Sequence, residues 1–211
     1  MRLGQEVQEV PRRIAVGSVA GQSPPTRPQA WARPAPPLSD GVVRLEPIEE
    51  RFVSEFEALT HDPDVVRFTR VPARRSNDFA AGWIAGYVQG WAEGSRAGFA
   101  IVDVDDGTFL GMCGLIRIEW DASEAEIGYV VASAARGRGT AGRSIDLISR
   151  WGLDELGLAR IEAVIDVANE SSLRVAERAG YRREGVRRSA YFKDGVRADV
   201  AIYSLLPGEL P

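Results

Sequence analysis

The chain predicts an α/β (α+β) fold organised around a mostly antiparallel sheet. Two patterns carry this. Runs with β-branched or aromatic residues recur at 41–47, 98–103, 109–118, 126–131, 159–166, 183–188 and 196–205. Stripes at helical spacing recur at 49–59, 79–91, 145–156 and 170–179. A third observation fixes their arrangement: the strands over 98–131 are separated only by turn signals, so they follow one another as antiparallel neighbours.

In order, residues 1–40 hold 7 of the 12 prolines and show no helical or strand period. Such a segment buries too little apolar surface to offset its ordering entropy, and a flexible Pro-rich tail is expected, with Trp31 as a local anchor. Its proline run could bind an SH3-like partner, but a linker or an over-long start site is the commoner explanation. A domain over 41–211 then begins with a strand carrying Val43 and Leu45. A helix through Phe52, Phe56 and Leu59 follows, then a turn at His61-Asp62-Pro63. Ser76 is the expected cap of the next helix, with Phe79, Trp83, Ile84, Tyr87, Val88 and Trp91 along one face. Asp105-Asp106-Gly107 turns the first hairpin.

The most informative stretch is 124–143. The strand Glu126–Val131 is followed by Ala132–Ala135, then by seven residues that hold three glycines and two arginines, Arg136 to Gly142. A helix opens at once, with Ile145, Ile148, Gly152 and Leu156 on its apolar face and Leu153 off it. A glycine-rich loop at a helix N-terminus offers unpaired N–H groups and the positive end of the helix dipole, which suits a phosphate.

Three frames fit this loop. Gly137 and Gly142 have P-loop spacing, but Arg143 stands in place of the lysine, and a guanidinium fork does not replace a compact ammonium there. Gly137, Gly139 and Gly142 also spell the dinucleotide-binding GxGxxG, with Asp166 as a ribose-binding acid. Yet residues intervene between strand and glycines, and a Rossmann half-domain would not have antiparallel strands in succession before them. The third frame reads Arg136-Gly137-Arg138-Gly139-Thr140-Ala141 as Arg-x-x-Gly-x-Ala. This resembles the acyl-CoA pyrophosphate loop of the GNAT N-acetyltransferases. EIGYVV before the loop, DELGLARIEAVIDVANESSLRVAERAGYRREG after it and YFKDGVRADVAIYSLL at the end are similar to the RimJ/RimL-type branch of that superfamily.

The resemblance covers roughly 41–207 and implies a sheet of about six to seven strands flanked by about four helices. The strand ending at Val131 should splay from its neighbour. It also implies acetyl-CoA as cofactor, coenzyme A as product, and an N-acetyltransferase acting on a primary amine by direct transfer in a ternary complex. The acceptor would be a protein N-terminus or a small-molecule amine. The alternative is a non-catalytic CoA- or nucleotide-binding regulatory module.

The resemblance assigns cofactor contacts to the backbone of Tyr129, Val130 and Val131 and to the loop Arg136, Gly137, Arg138, Gly139, Thr140, Ala141, Gly142 and Arg143. Asn169-Glu170-Ser171-Ser172 matches its Asn-x-x-Ser pattern, with Asn169 on the cofactor and Ser172 by the sulfur; the same Asn169 reads independently as a helix cap. For the base, Glu126 is the candidate and Glu124 the next, since a partly buried carboxylate can relay a proton through water. Tyr191 is a candidate acid, although Ala190 stands where some members of the branch carry a carboxylate. Trp83, Tyr87 and Trp91 either line the acceptor groove or pack the core.

Composition excludes other classes. Net charge is −4, so no broad basic face for nucleic acid is expected, and the acidic balance is too small to choose the acceptor by steering. The one cysteine, Cys113, and the one histidine, His61, leave no cysteine cluster or multi-histidine metal site. Cys113 reads as an interior hydrophobe, which disfavours an acyl-cysteine route, and His61 as polar loop. No apolar run approaches the roughly 18 residues of a membrane span, and the N-terminus lacks a signal-peptide block. A cytoplasmic protein is expected, with a homodimer left open.

Overall fold

A computed structural model describes residues 32–210. The expected tail therefore lies largely outside the described residues, Trp31 included. At its inner end, Leu38–Ser39 already forms a strand (β1), so the folded unit takes in residues that the sequence pattern places in the tail.

The remaining elements follow in order. Strand β2 is Val43–Pro47, helix α1 Val53–Thr60, α2 Pro63–Phe68 and α3 Phe79–Glu93. Strands β3 (Ala97–Asp103), β4 (Phe109–Glu119) and β5 (Glu124–Val131) precede α4 (Thr140–Arg150). Then come β6 (Arg160–Asp166), α5 (Glu170–Arg178), β7 (Arg182–Lys193) and β8 (Val196–Leu205). The eight strands form one sheet in the order β1-β2-β3-β4-β5-β6-β8-β7. All neighbours are antiparallel except β5 and β6. The strand and helix counts exceed the expected ones because β1 and α2 are too short to show a period.

Alternation along the strands splits the core into two layers. Phe99, Ile101, Cys113, Leu115, Ile127 and Tyr129 face α4 and α5, together with Ile145, Ile148 and Ala176. Ala100, Val102, Met112, Ile116 and Val130 face α1 and α3, with Phe56, Ile84 and Tyr87.

Two local expectations are corrected. Asp78, not Ser76, precedes α3; Ser76 instead accepts the Phe79 N–H through its backbone carbonyl. Leu153 is buried in the core despite falling off the helical stripe. The reason is a π-helical turn over Trp151–Glu155, in which Leu156 N–H donates to Trp151 O at 3.0 Å. The extra residue in that turn rotates the succeeding side chains by about 100° relative to a regular helix.

Candidate active site

β5 and β6 pair for only three residues, Glu124–Arg160, Ala125–Ile161 and Glu126–Glu162. Past Glu126 no further pair forms between them. The sheet opens there into a groove of about 850 Å³, whose walls include Gly128–Val131 on one side and Ala163–Asp166 on the other. Alternate backbone groups of this half of β5 therefore face the groove rather than a neighbouring strand. Because the opening runs through the sheet, it reaches both core layers.

The loop before α4 closes one part of the groove. Gly137 and Gly139 both have positive φ, 74° and 82°, as glycine alone accepts readily. A Cβ on Gly137 would meet nothing within 4 Å. The first bond of α4 is Arg143 N–H to Gly139 O at 3.0 Å, so the N–H groups of Thr140, Ala141 and Gly142 precede the helix's own ladder. They could hold a phosphate. The arginines divide differently from expectation. Arg136 lines the groove, but its guanidinium binds Asp62 at 2.7 Å, Asp64 at 3.0 Å and Val131 O at 3.1 Å. Arg143 is taken by Asp40 at 2.6 Å, and neither it nor Arg138 belongs to the groove wall.

Asn169 and Ser172 meet the groove from α5. Asn169 Oδ1 accepts the Ser172 N–H at 3.2 Å and the Ser171 hydroxyl at 2.8 Å, so the cap reading holds and the side-chain amide still borders the groove. Ser172 Oγ lies 2.6 Å from Tyr129 Oη. This phenol is a functional group that sequence reasoning misses, since it uses only the backbone of Tyr129. Burial pushes it up to about 12, against the Ser172 hydrogen bond, and it stays protonated at neutral pH.

Glu126 sits at the vertex of the splay, 8% exposed, on the face of β5 opposite to Tyr129. Arg70 and Arg117 approach it at 3.8 and 3.7 Å. Glu124 lies outside the groove wall. Arg117 owes its position to a β-bulge: Leu115 pairs with Ile127 and Arg117 with Glu126, which leaves Ile116 as the extra residue. Tyr191 lines the groove, and its hydroxyl donates to Thr69 O at 3.1 Å; burial raises its pKa. Lys193 Nζ bonds Val66 O and Asp194 accepts the Ala73 N–H, so the tip of the β7–β8 hairpin is tied to α2 and to the α2–α3 connection beside the groove.

Trp83 and Tyr87 line the groove. Trp91 does not; it is 4% exposed, packs against Phe99 and Trp151, and donates to Gly98 O at 3.2 Å. Cys113 is 2% exposed and burial pushes its thiol up, which agrees with an interior hydrophobe. His61 stays exposed beside Glu57, away from the groove wall.

A mixed sheet opened at one parallel pair, with a glycine loop feeding a helix N-terminus into the opening, defines an acyltransferase-type groove rather than a Rossmann crevice. The chain belongs to the GNAT acetyltransferase family, whose domain matches residues 43–182. YdaF of Bacillus subtilis strain 168, provisionally named a ribosomal N-acetyltransferase, is 34% identical over 104 residues, which are 49% of this chain and 57% of YdaF. The matched stretch thus spans little more than half of that relative. Among solved structures, the Salmonella typhimurium acetyltransferase that modifies the N-terminal serine of ribosomal protein L7/L12 superposes with a TM-score of 0.73 at 20% identity, over 81% of this chain and 97% of that one. The Vibrio cholerae spermidine N-acetyltransferase in complex with CoA and spermine gives 0.71 at 19%, over 81% and 98%. These likenesses establish the fold. No helix among the described residues is long and apolar enough to cross a membrane.

Proposed function

We propose that this protein is an N-acetyltransferase that moves the acetyl group of acetyl-CoA to a primary amine by direct transfer. The observation that carries the reading is the opening between β5 and β6, with a glycine-bounded helix N-terminus and a hydroxyl pair in its wall. The residues fit the cofactor. Thr140, Ala141 and Gly142 N–H groups would hold its diphosphate at the positive end of α4, in the space beside Gly137 and Gly139. The open backbone edge of Gly128–Val131, apart from Val131 O, which Arg136 holds, would pair with its pantetheine amides, and Asn169 would border it. Bound acetyl-CoA supplies an activated thioester acyl group.

The chain's residues then handle the protons. Ser172 Oγ and Tyr129 Oη form a short hydroxyl pair from which Ser172 can donate a hydrogen bond or a proton to sulfur. Glu126 attracts the ammonium and can take its proton through water from the other face of the sheet. Tyr191, bound to Thr69 O, packs over this end of the groove and orders it rather than serving as the acid. Relatives and structural neighbours named for ribosomal proteins and for spermidine support an amine acceptor of either the protein or the small-molecule kind.

The test is calorimetric titration with acetyl-CoA, NADH and NADPH, followed by thiol release with an amine panel. Micromolar binding of acetyl-CoA alone with amine-dependent thiol release is expected, and Gly139→Glu should abolish binding by adding bulk and negative charge at the phosphate position. Binding of a dinucleotide instead would overturn the assignment. Acetyl-CoA binding without turnover would favour the regulatory reading.

A further inference from the structure

The acceptor end of the groove is charged in a way that the net charge conceals. Arg70, from the α2–α3 connection, Arg96, from the turn before β3, and Arg117, from β4, all line it together with Glu126, the one buried carboxylate among the described residues. They converge on one place. Arg96 Cζ stands 5.6 Å from the Tyr87 ring centroid, and Arg70 Cζ stands 5.9 Å from that of Tyr191.

Glu126 does not use up these guanidinia. Its contacts to Arg70 and Arg117, 3.8 and 3.7 Å, are longer than hydrogen bonds, and the two arginine side chains are 64% and 53% exposed. Other carboxylates near this end are engaged elsewhere: Asp64 with Arg136, Asp166 with the Ala168 N–H, and Asp194 with the Ala73 N–H. Arg70 and Arg117 therefore flank one carboxylate that is fit to hold an ammonium, with donors still open to solvent, and Arg96 lines the same groove beside Tyr87.

We infer that the preferred acceptor is an amine with a carboxylate close to it, such as a peptide N-terminus followed by an acidic residue or a free amino acid. The ammonium goes to Glu126 and the anion to the arginine group, where forked N–H donors suit a carboxylate. A polycation would place its further ammonium groups against three guanidinia. The inference rests on the acetyl-transfer reading for the reaction itself, but the charge preference is a binding property.

Binding therefore tests it. The CoA-saturated protein is titrated with seryl-aspartyl amide against seryl-asparaginyl amide, with serine against serinamide, and with spermidine. The first pair reads a peptide acceptor and the second a free amino acid. At least one carboxylate form should bind tenfold or more tightly than its amide and more tightly than spermidine. The preference should fall to near unity in the Arg70→Gln/Arg117→Gln double variant, and separately be reduced in Arg96→Gln, with CoA affinity as the check on folding. Equal affinities, tighter spermidine binding, or no binding in either pair would overturn the inference. A carboxylate preference without acetyl transfer would leave it standing and overturn the proposed activity instead.

Discussion

Tyr129 Oη and Ser172 Oγ lie 2.6 Å apart, joining the splayed half of β5 to the first turn of α5. The contact links two segments that each border the groove, so one hydroxyl orients the other. Ser172→Ala should lower kcat about ten- to a hundredfold with little change in CoA affinity, in line with loss of one positioned proton donor. Tyr129→Phe keeps the ring but frees Ser172 to rotate, and should cost a smaller share of kcat. Steady-state kinetics beside calorimetry separates the two; unchanged kcat in both variants would remove the pair from the reaction.

On the opposite face of β5, Glu126 is the proposed proton acceptor. Glu126→Gln keeps shape and removes the proton acceptor and the ammonium's counter-charge, so kcat/KM for the amine should fall about a hundredfold or more. Glu124→Gln, two residues earlier on the same strand and outside the groove, should leave it within about twofold. The comparison uses amine-dependent thiol release; equal losses in both variants would mean that the effect is structural.

Much of this is legible in the sequence because it depends on local pattern. The glycine loop needs positive φ at Gly137 and Gly139, and the Asn169 cap bonds a neighbour three residues away, so both announce themselves by residue type. The rest depends on contacts between distant segments. Arg136 looks like a phosphate ligand until α2 brings Asp62 and Asp64 to it, and α2 has only six residues, too few for a period. The bulge at Ile116 turns Arg117 toward Glu126, and an extra residue in a strand leaves no mark in an apolar run. Asp40 falls within the Pro-rich stretch, yet it binds Arg143 across the sheet edge.

Trp83 and Trp91 share one helical stripe, and only the structure separates them. Trp91 lies between Phe99 and Trp151, whereas Trp83 is half-buried against Phe56 and Phe79 at the groove. Trp91→Ala should therefore destabilise the fold by about 3–5 kcal/mol, the usual cost of removing a large aromatic from a core. Trp83→Ala should cost less stability and raise KM for the amine. Denaturant unfolding and acceptor kinetics on both variants check this; the reverse pattern would exchange their roles.

Acid stability follows from the edge of the sheet rather than from the groove. Glu184 on β7 accepts from Arg160 at 2.6 and 2.8 Å and from Ser204 Oγ at 2.7 Å. The Arg160 hydrogen bonds hold its carboxyl down from 4.5 to about 2, with Ser204 assisting. A pKa lower in the folded state means that the unfolded chain binds the proton more readily. The contribution is thus fully present above about pH 4.5 and is lost as the pH falls through about 2. Because the side chain is 45% exposed, solvent screening limits it to under about 1 kcal/mol. Glu184→Gln should lower Tm by a constant amount from neutrality down to about pH 5, and the gap to the parent should then close toward pH 2. Thermal unfolding across this range reads it directly. A gap that persists at pH 2 would assign the loss to packing against Ser204 and Arg160 rather than to the charge.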